Sequence, residues 1–327
     1  MKVDMHCHFF PEEFIEYRQK SDPTLKLSTD HRGRRVMQIS GEALPWPTPE
    51  ERIGWMDKMG IDIQVLSLPN ANTYFAPDGE GVALLKHCND RLSELCHTYP
   101  KRFMCLASIP LDNVNEALAE LDRAINHLGM NGVALGSNIH GKPLNSKALI
   151  PFYEQVNTMR VPIFIHATEP VGAEAMAEFS LVVLVGFPME TTLAATRLAF
   201  SGLFERFPNI NLILSHLGGA LPFLFERIDF AYWERQAGHE NISHPPSAYF
   251  KRFYYDTAIG YHLPALRCAF DSVGVDHLVL GTDYPFGSMV GFVPKVLESI
   301  EKLNLSPEEK EKIYSRNVLS LLVNKGG

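Results

Sequence analysis

The stretch "VDMHCHFF" (Val3–Phe10) is a short apolar run near the start of the 327-residue chain, and its composition predicts a buried β-strand. His6 and His8 are two positions apart in it, so both side chains point to one face of the strand and Cys7 points to the other. Seven further short apolar runs follow along the chain. They cover residues 63–69, 103–110, 132–137, 161–167, 210–216, 253–258 and 277–283.

Helical patterns separate these runs. Residues 113–129 place alanine, leucine and isoleucine side chains at helical spacing, and residues 49–60, 146–160 and 306–322 show similar patterns. Continuously apolar strands are typical of a parallel sheet that is buried on both faces. Eight such strands alternating with helices predict an α/β fold, a (β/α)₈ TIM barrel, as a single domain over residues 1–327.

One segment does not follow the alternation of strands and helices. Residues 11–47, between the first strand and the first barrel helix, are rich in proline and arginine and have no clear helical period. We interpret them as a small flap inserted after strand 1, with short strands of its own.

Composition restricts the classes of function. The formal net charge of −8 and the pI of about 5.9 argue against a nucleic-acid partner. The longest apolar run, residues 180–188, is too short to span a bilayer, so we expect no membrane partner. The five cysteines are scattered and odd in number, and no signal peptide is visible. Both features favour a cytoplasmic protein with reduced thiols.

Metal- and proton-binding side chains follow the predicted strands. His6 and His8 end the first run, His166 the fifth, His216 the sixth and Asp283 the eighth. The carboxyl ends of barrel strands meet at one mouth, so these five side chains are expected to lie together. Imidazoles and a carboxylate suit a divalent ion such as zinc. Alone, each histidine is more often a hydrogen-bonded residue than a ligand, and "TDYP" could place Asp283 at a helix cap.

These residues resemble the amidohydrolase superfamily, and within it the branch of aminocarboxymuconate semialdehyde decarboxylase. The resemblance covers nearly the whole chain and is thinnest across residues 11–47. It is carried by the histidines above and by the blocks "MKVDMHCHFFP" (1–11), "RIGWMDKMGI" (52–61), "LVGFPMETT" (184–192), "LFERFPNINLILSHLGGALPF" (203–223) and "LGTDYPF" (280–286). It implies a barrel, often dimeric, with one divalent ion, usually zinc and alternatively manganese.

The resemblance also implies roles for individual residues. The metal ligands would be His6, His8, His166 and Asp283. Beside them His216 would be the catalytic base, and Asp283 would share in catalysis. For the substrate, Arg235 would reach a carboxylate in the neighbouring subunit of a homodimer, and Phe286 would line the pocket. Because the fourth strand run "NGVALGSN" has no lysine near its end to bridge two metals, we expect a single ion.

Two positions depart from that pattern. A second carboxylate-binding arginine is expected in the flap, where the alignment gives Met37; Arg34 or Arg35 could take the role in a shifted register. An aromatic residue is expected two residues after His166, where the chain has Thr168. Both departures concern the substrate pocket and leave the proposed ligands unchanged.

The predicted chemistry follows from a metal beside an imidazole. A divalent ion lowers the pKa of bound water and polarises a substrate oxygen, and His216 is placed to move a proton. We therefore predict a metal-dependent, non-oxidative decarboxylase of a small unsaturated or aromatic carboxylic acid. The alternative is a metal-dependent hydrolase or hydratase that directs the same activated water at a lactone, an amide or a C–C bond. A non-catalytic, metal-stabilised barrel is a third class.

Overall fold

Eight parallel strands form the central sheet, and they are neighbours in the order in which they follow along the chain. The structure is a computed structural model, and it describes residues 1–21, 25–31, 33–39, 42–69, 79–287 and 291–322. The eight strands are β1 (Val3–His8), β5 (Ile63–Ser67), β6 (Phe103–Ser108), β7 (Gly132–Gly136), β10 (Ile163–His166), β11 (Leu212–Leu214), β12 (Tyr254–Asp256) and β13 (Leu278–Val279).

The chain after β13 brings the two edges of this sheet together. The backbone N–H of Met5 donates to the carbonyl of Leu280 at 2.8 Å, and that of His8 donates to Tyr284 at 2.6 Å. Residues 280–284 therefore pair with β1, and the sheet has the form of a barrel. The predicted (β/α)₈ TIM barrel is confirmed, with each of the eight predicted runs containing one strand.

Helices connect successive barrel strands, as the periodic segments predicted. Helix α2 (Pro49–Met59) shows how sequence sets a helix boundary: Thr48 and Glu51 form a capping box at its start, and Gly60 ends it in the left-handed conformation. The principal barrel helices are α2 (Pro49–Met59), α3 (Glu80–Thr98), α4 (Val114–Asp122), α5 (Ile150–Met159), α6 (Phe187–Phe200), α8 (Leu221–Arg235), α10 (Leu263–Val273) and α11 (Phe292–Glu301). Shorter helices are α7 (Leu203–Arg206), α9 (Pro246–Phe250), α12 (Pro307–Glu311) and α13 (Asn317–Leu321).

The core has an inner and an outer layer. Strand residues inside the barrel form one buried cluster, closed at its base by Val318 and Leu321 from α13; the strand members are Val3, Met5, Val65, Leu106, Ala134, Phe164, Ile213 and Val279. The larger cluster lies between the strands and the helices and includes Cys7, which is fully buried. Packing on both faces of the sheet holds the strand ends in place, and the candidate site is built on those ends.

Residues 11–47 contain a helix and a small antiparallel sheet. The sheet consists of β2 (Lys26–Thr29), β3 (Arg35–Ile39) and β4 (Glu42–Pro45), while β8 (Asn138–Ile139) and β9 (Lys142–Pro143) form a separate hairpin. Helix α1 (Glu12–Ser21) was not predicted. It lacks a continuous apolar stripe, but glutamates in its first turn and basic residues in its last turn suit the helix dipole.

One helical run has the length and composition of a membrane span. Val182–Phe200 has 19 residues and a mean hydropathy of 1.2, and it extends beyond the apolar run noted in the sequence. Within the barrel 44% of it is buried. Core helices of barrels share these features, so a single such helix is weak evidence for a membrane span.

Candidate metal centre and catalytic site

The five predicted side chains come together at one mouth of the barrel. His8 is the last residue of β1 and His166 the last of β10, while His216 and Asp283 lie in the turns that follow β11 and β13. The pairing register of β1 with β5 shifts between Asp4 and Cys7, beside the two histidines. Such bulges re-aim side chains next to functional sites.

Three of the donor atoms form a nearly equilateral triangle. The Nε2 atoms of His6 and His8 are 3.2 Å apart, and the Asp283 Oδ1 atom is 3.1 Å from each of them. His166 joins this group, since one donor atom from each of the four residues lies within 4.8 Å of all the others. Ligands at zinc–ligand distances in a tetrahedron lie about 3.3 Å apart, so the triangle has the size of a coordination face.

The far sides of the imidazoles are held by hydrogen bonds that direct Nε2 inward. His166 Nδ1 donates to the Ala167 carbonyl at 2.8 Å, and His6 Nδ1 donates to Asp256 Oδ2 at 2.6 Å. Among the described residues, His166 Nε2 is buried and has no hydrogen-bond partner. An unpaired buried acceptor aimed at three other donor atoms is the arrangement that a cation would satisfy. The residues present therefore fit a divalent metal.

The electrostatics of the cluster also favour a cation. Burial lowers the pKa of His8 and lowers that of His166 further, so both rings are neutral, the form in which imidazole can bind a metal. Burial would lower the pKa of His6 too, but the carboxylates of Asp256 and Asp283 outweigh it and raise that pKa to about 10. Despite its burial, Asp283 has a pKa well below the usual range, because His6, His216 and His8 stabilise the ionised carboxylate.

His216 lies against the other carboxylate oxygen of Asp283. Its Nε2 atom is 3.5 Å from Asp283 Oδ2, while its buried Nδ1 atom has no hydrogen-bond partner in the described parts of the chain. The rings of His6 and His166 are 5.0 Å and 5.3 Å away between centroids. His216 and Leu217 both have positive φ, 55° and 54°, a strained conformation that proteins retain mainly at functional sites.

An aromatic wall borders the cluster. The Phe286 ring lies 5.6 Å from that of His8 and 6.3 Å from that of Phe10, between centroids. Thr168 Oγ1 lies 3.0 Å from Ser137 Oγ. The chain therefore has a hydroxyl at the position where the resemblance implies an aromatic ring. The mouth therefore combines flat apolar surface with a few hydroxyl groups.

Arg235 does not lie at this mouth. It is exposed at the last position of α8, whose first residues follow the His216 turn. At 1.5 Å per residue the 15-residue helix is about 20 Å long, so the guanidinium lies far from the site of its own subunit.

The flap arginines have different surroundings. Arg34 is paired with Asp30, with Nη2 2.6 Å from Oδ2. The Arg35 guanidinium lies 3.7 Å from the centroid of the Trp46 ring. Trp46 in turn donates from Nε1 to the Phe10 carbonyl at 2.9 Å, and Arg35 Nη1 lies 3.4 Å from Glu12 Oε1. Met37 is fully buried on the same face of β3.

Sequence reasoning missed Asp256, which ends β12 and is fully buried. It is the hydrogen-bond partner of His6, and its other oxygen accepts the backbone N–H of His216 at 2.9 Å. A signal was available, because the seventh apolar run "FYYDTA" (253–258) also carries a carboxylate at its carboxyl end.

Comparison with known proteins reveals clear similarities. Residues 3–322 match the amidohydrolase family. The chain is 32% identical to 2-amino-3-carboxymuconate-6-semialdehyde decarboxylase of Dictyostelium discoideum, covering 98% of this chain and 91% of that one. It is 30% identical to gamma-resorcylate decarboxylase of a Rhizobium species, covering 72% of this chain and 76% of that one.

Solved structures share the fold. A crystal structure of dihydroxybenzoic acid decarboxylase from a Polaromonas species, with bound manganese and the inhibitor 2-nitroresorcinol, superposes with a TM-score of 0.80. The sequences are 24% identical, and the match covers 98% of this chain and 96% of that one. At this identity the comparison shows the common barrel fold.

Proposed function

Because this chain belongs to the amidohydrolase family, we propose that it is a metal-dependent, non-oxidative decarboxylase of a small unsaturated or aromatic carboxylic acid. The observation that carries the proposal is the convergence of four metal-competent donor atoms with His216 beside them. The two curated relatives described above are themselves decarboxylases, which favours this chemistry over hydrolysis.

The ion would be held by His6, His8, His166 and Asp283. When bound, a divalent metal lowers the pKa of water and polarises a substrate oxygen. We propose zinc, since three imidazoles and one carboxylate suit it, with manganese as the other candidate. Manganese is supported by its presence in the Polaromonas enzyme.

His216 would move the proton that decarboxylation requires. Its imidazole would deliver a proton to the substrate carbon that bears the carboxylate. The C–CO₂⁻ bond then breaks, CO₂ leaves, and the electron pair of that bond restores the conjugated or aromatic system. Asp283 Oδ2 lies beside His216 Nε2, where it would hold the ring in place. The reaction written in this way needs no redox cofactor.

The aromatic wall would hold a planar substrate. Phe286 and Phe10 offer ring surface next to His8, and they would exclude water from the reacting carbon. We propose residues 11–47 as a flap that forms the outer side of this pocket. Arg35, rather than Arg34, would supply a second carboxylate contact, because it stacks on Trp46, which bonds to Phe10, and its buried Nε atom has no hydrogen-bond partner among the described residues.

We also propose a homodimer. Three large side chains on α8 are exposed, with Phe223 at 79%, Phe230 at 53% and Trp233 at 63% of their surface. Their spacing of seven and three residues places them on one side of the helix, and Met189 and Leu193 of α6 are exposed nearby. We call these five residues the α8 face; large exposed apolar side chains gathered on one side of a protein mark contact sites.

Pairing through the α8 face would give Arg235 a role. This residue is two positions beyond Trp233 and too distant from its own metal centre, so across a dimer it could reach the substrate carboxylate in the partner subunit. We place the enzyme in the cytoplasm, because each of the five cysteines, all in described parts of the chain, is a free thiol.

The first test is metal content. Elemental analysis of the purified protein should find about one equivalent of divalent metal per chain, and Asp283→Ala should lose both metal and activity, because removing one of four ligands opens the site. A fully metallated and active Asp283→Ala variant would contradict the ligand assignment. The loaded enzyme is then screened with aromatic and unsaturated carboxylates. Release of CO₂ supports decarboxylation, whereas a product that gains the mass of water would establish the hydrolase or hydratase.

A further inference from the structure

Asp256 is a fully buried carboxylate that binds three N–H groups. Its Oδ2 atom accepts from His6 Nδ1 at 2.6 Å. Its Oδ1 atom accepts from the backbone N–H groups of His216 and Ala258, both at 2.9 Å. One side chain thus touches a candidate metal ligand and the backbone of the candidate proton donor.

The contact with His6 sets which nitrogen of that ring faces the metal position. A carboxylate at Nδ1 keeps a proton there, so Nε2, which faces His8 and Asp283, is the nitrogen left to bind a metal. A partner of this kind also makes the ring a stronger donor. Asp256, which is not one of the four proposed ligands, therefore sets the tautomer in which His6 can bind a metal.

The contact with His216 acts on the backbone. His216 and Leu217 are both in the left-handed region, which is strained for residues other than glycine. The hydrogen bond from the His216 N–H to Asp256 is charge-assisted, and it holds the first strained residue at the end of β11. The position of the imidazole relative to Asp283 depends on this turn.

We propose that Asp256 is a positioning residue that couples the two halves of the site, orienting His6 towards the metal and His216 towards the substrate. The inference rests on the proposed metal centre but not on the identity of the reaction. An asparagine at this position would have a single acceptor oxygen for three N–H groups, and its own NH₂ would face a donor. The arrangement therefore requires a carboxylate.

The test is Asp256→Asn, with Asp229→Asn as matched control. Asp229 is also buried, and it accepts from the backbone N–H and the hydroxyl of Ser247, in contact with neither His6 nor His216. Affinity for zinc and manganese is measured on the metal-free proteins by competition with a chromophoric chelator. We expect Asp256→Asn to weaken binding by about 10–100-fold. At saturating metal its kcat should also fall, while Asp229→Asn changes only thermal stability.

A metal affinity within twofold of wild type, with kcat unchanged at saturating metal, would overturn the proposal and leave Asp256 a structural residue. If Asp256→Asn does not fold, the wild-type protein is labelled with ¹⁵N in histidine and loaded with zinc. Nuclear magnetic resonance then shows whether His6 Nδ1 carries a proton. A far-downfield proton on His6 Nδ1, identified by its loss in His6→Gln, supports the carboxylate contact. An unprotonated His6 Nδ1 contradicts it. Neither affinity nor tautomer depends on whether the enzyme releases CO₂.

Discussion

At the scale of single residues, the proposed roles fall into two tasks, which are holding a cation and moving a proton. Asp283 would serve both tasks in the proposed function, because its Oδ1 atom lies 3.1 Å from His6 and His8 while Oδ2 faces His216. Asp283 has a positive φ of 60°, like His216, so the two residues that join the tasks both have strained backbone.

Replacing His216 should separate the two tasks experimentally. His216→Ala is expected to keep the metal, since the four proposed ligands remain, and to lose turnover by about 10²–10⁴-fold, the contribution of a general acid–base. Metal content and kcat are measured on the same preparation. His127→Ala, at an exposed histidine on the outside of the barrel, is the control and should match wild type. Normal turnover in His216→Ala would exclude the proton-transfer role.

At the scale of elements, the barrel strands deliver donor atoms to one mouth, and helix α8 leads away from it. Its 15 residues begin beside the His216 turn and end at Arg235. A rigid helix cannot return its last residue to the site, so any contact between Arg235 and a substrate must come from another subunit.

Arg235→Ala should raise KM for the carboxylate substrate by about 10–100-fold, because a hydrogen bond to a charged group contributes about this factor to binding. The effect on kcat should be smaller. To test whether Arg235 of one subunit serves the site of the other, the Arg235→Ala and His216→Ala proteins are mixed and then refolded together or left to exchange subunits. Mixed dimers would have one complete site each, and about a quarter of wild-type activity should return. An unchanged KM, or no gain in activity on mixing when the substrate is well below KM, would argue against a contact across subunits.

Another contact between elements makes a prediction about pH. Glu205 in α7 accepts hydrogen bonds from the Ser243 N–H and hydroxyl and from the Tyr249 hydroxyl in α9. The Ser243 and Tyr249 hydroxyls are the main cause of the lowered pKa of Glu205, which falls from 4.5 to about 2. A lowered pKa in the folded state stabilises the protein above the unfolded value, and this stability is lost as the pH falls from 4.5 towards 2.

Glu205→Gln should therefore be less stable than wild type at pH 7 by about 1 kcal/mol, a value reduced for solvent screening at this exposed position. The difference should shrink at pH 3. Urea unfolding of both metal-free proteins at the two pH values measures it, and comparing the two proteins cancels the acid sensitivity of the rest of the chain. A difference that is the same at both pH values would show that Glu205 is not ionised more readily in the folded protein.

At the scale of the whole molecule, the proposed dimer contact through the α8 face would mean that a complete enzyme needs two chains. Trp233→Asp would place a charge within the proposed contact, where desolvating it is costly. We expect the native mass to fall to that of a monomer, KM to rise as in Arg235→Ala, and metal content to be unchanged. Glu94→Lys, an exposed charge change on α3 across the barrel, is the control. A wild-type protein that is monomeric at assay concentration would contradict the proposal.

Much of this molecule follows from local patterns. Apolar runs and helical periods are properties of neighbouring residues, so they predicted eight strands and the helices between them. The barrel rule then placed His6, His166 and Asp283 at one mouth, although up to 277 positions separate them along the chain. This reasoning missed helix α1, because the helix is marked by charged residues in its first and last turns and not by a repeating apolar stripe.

The amino-acid sequence thus determined the barrel and the ends of its strands where chemistry gathers, since both depend on periodicity and on the direction of the chain. Only the tertiary structure decided which nitrogen of each histidine faces inward, that Asp256 joins His6 to the His216 backbone, and that Arg235 lies outside its own site. These depend on contacts of about 3 Å between distant segments and on the length of a rigid helix. No pattern among neighbouring residues encodes such distances.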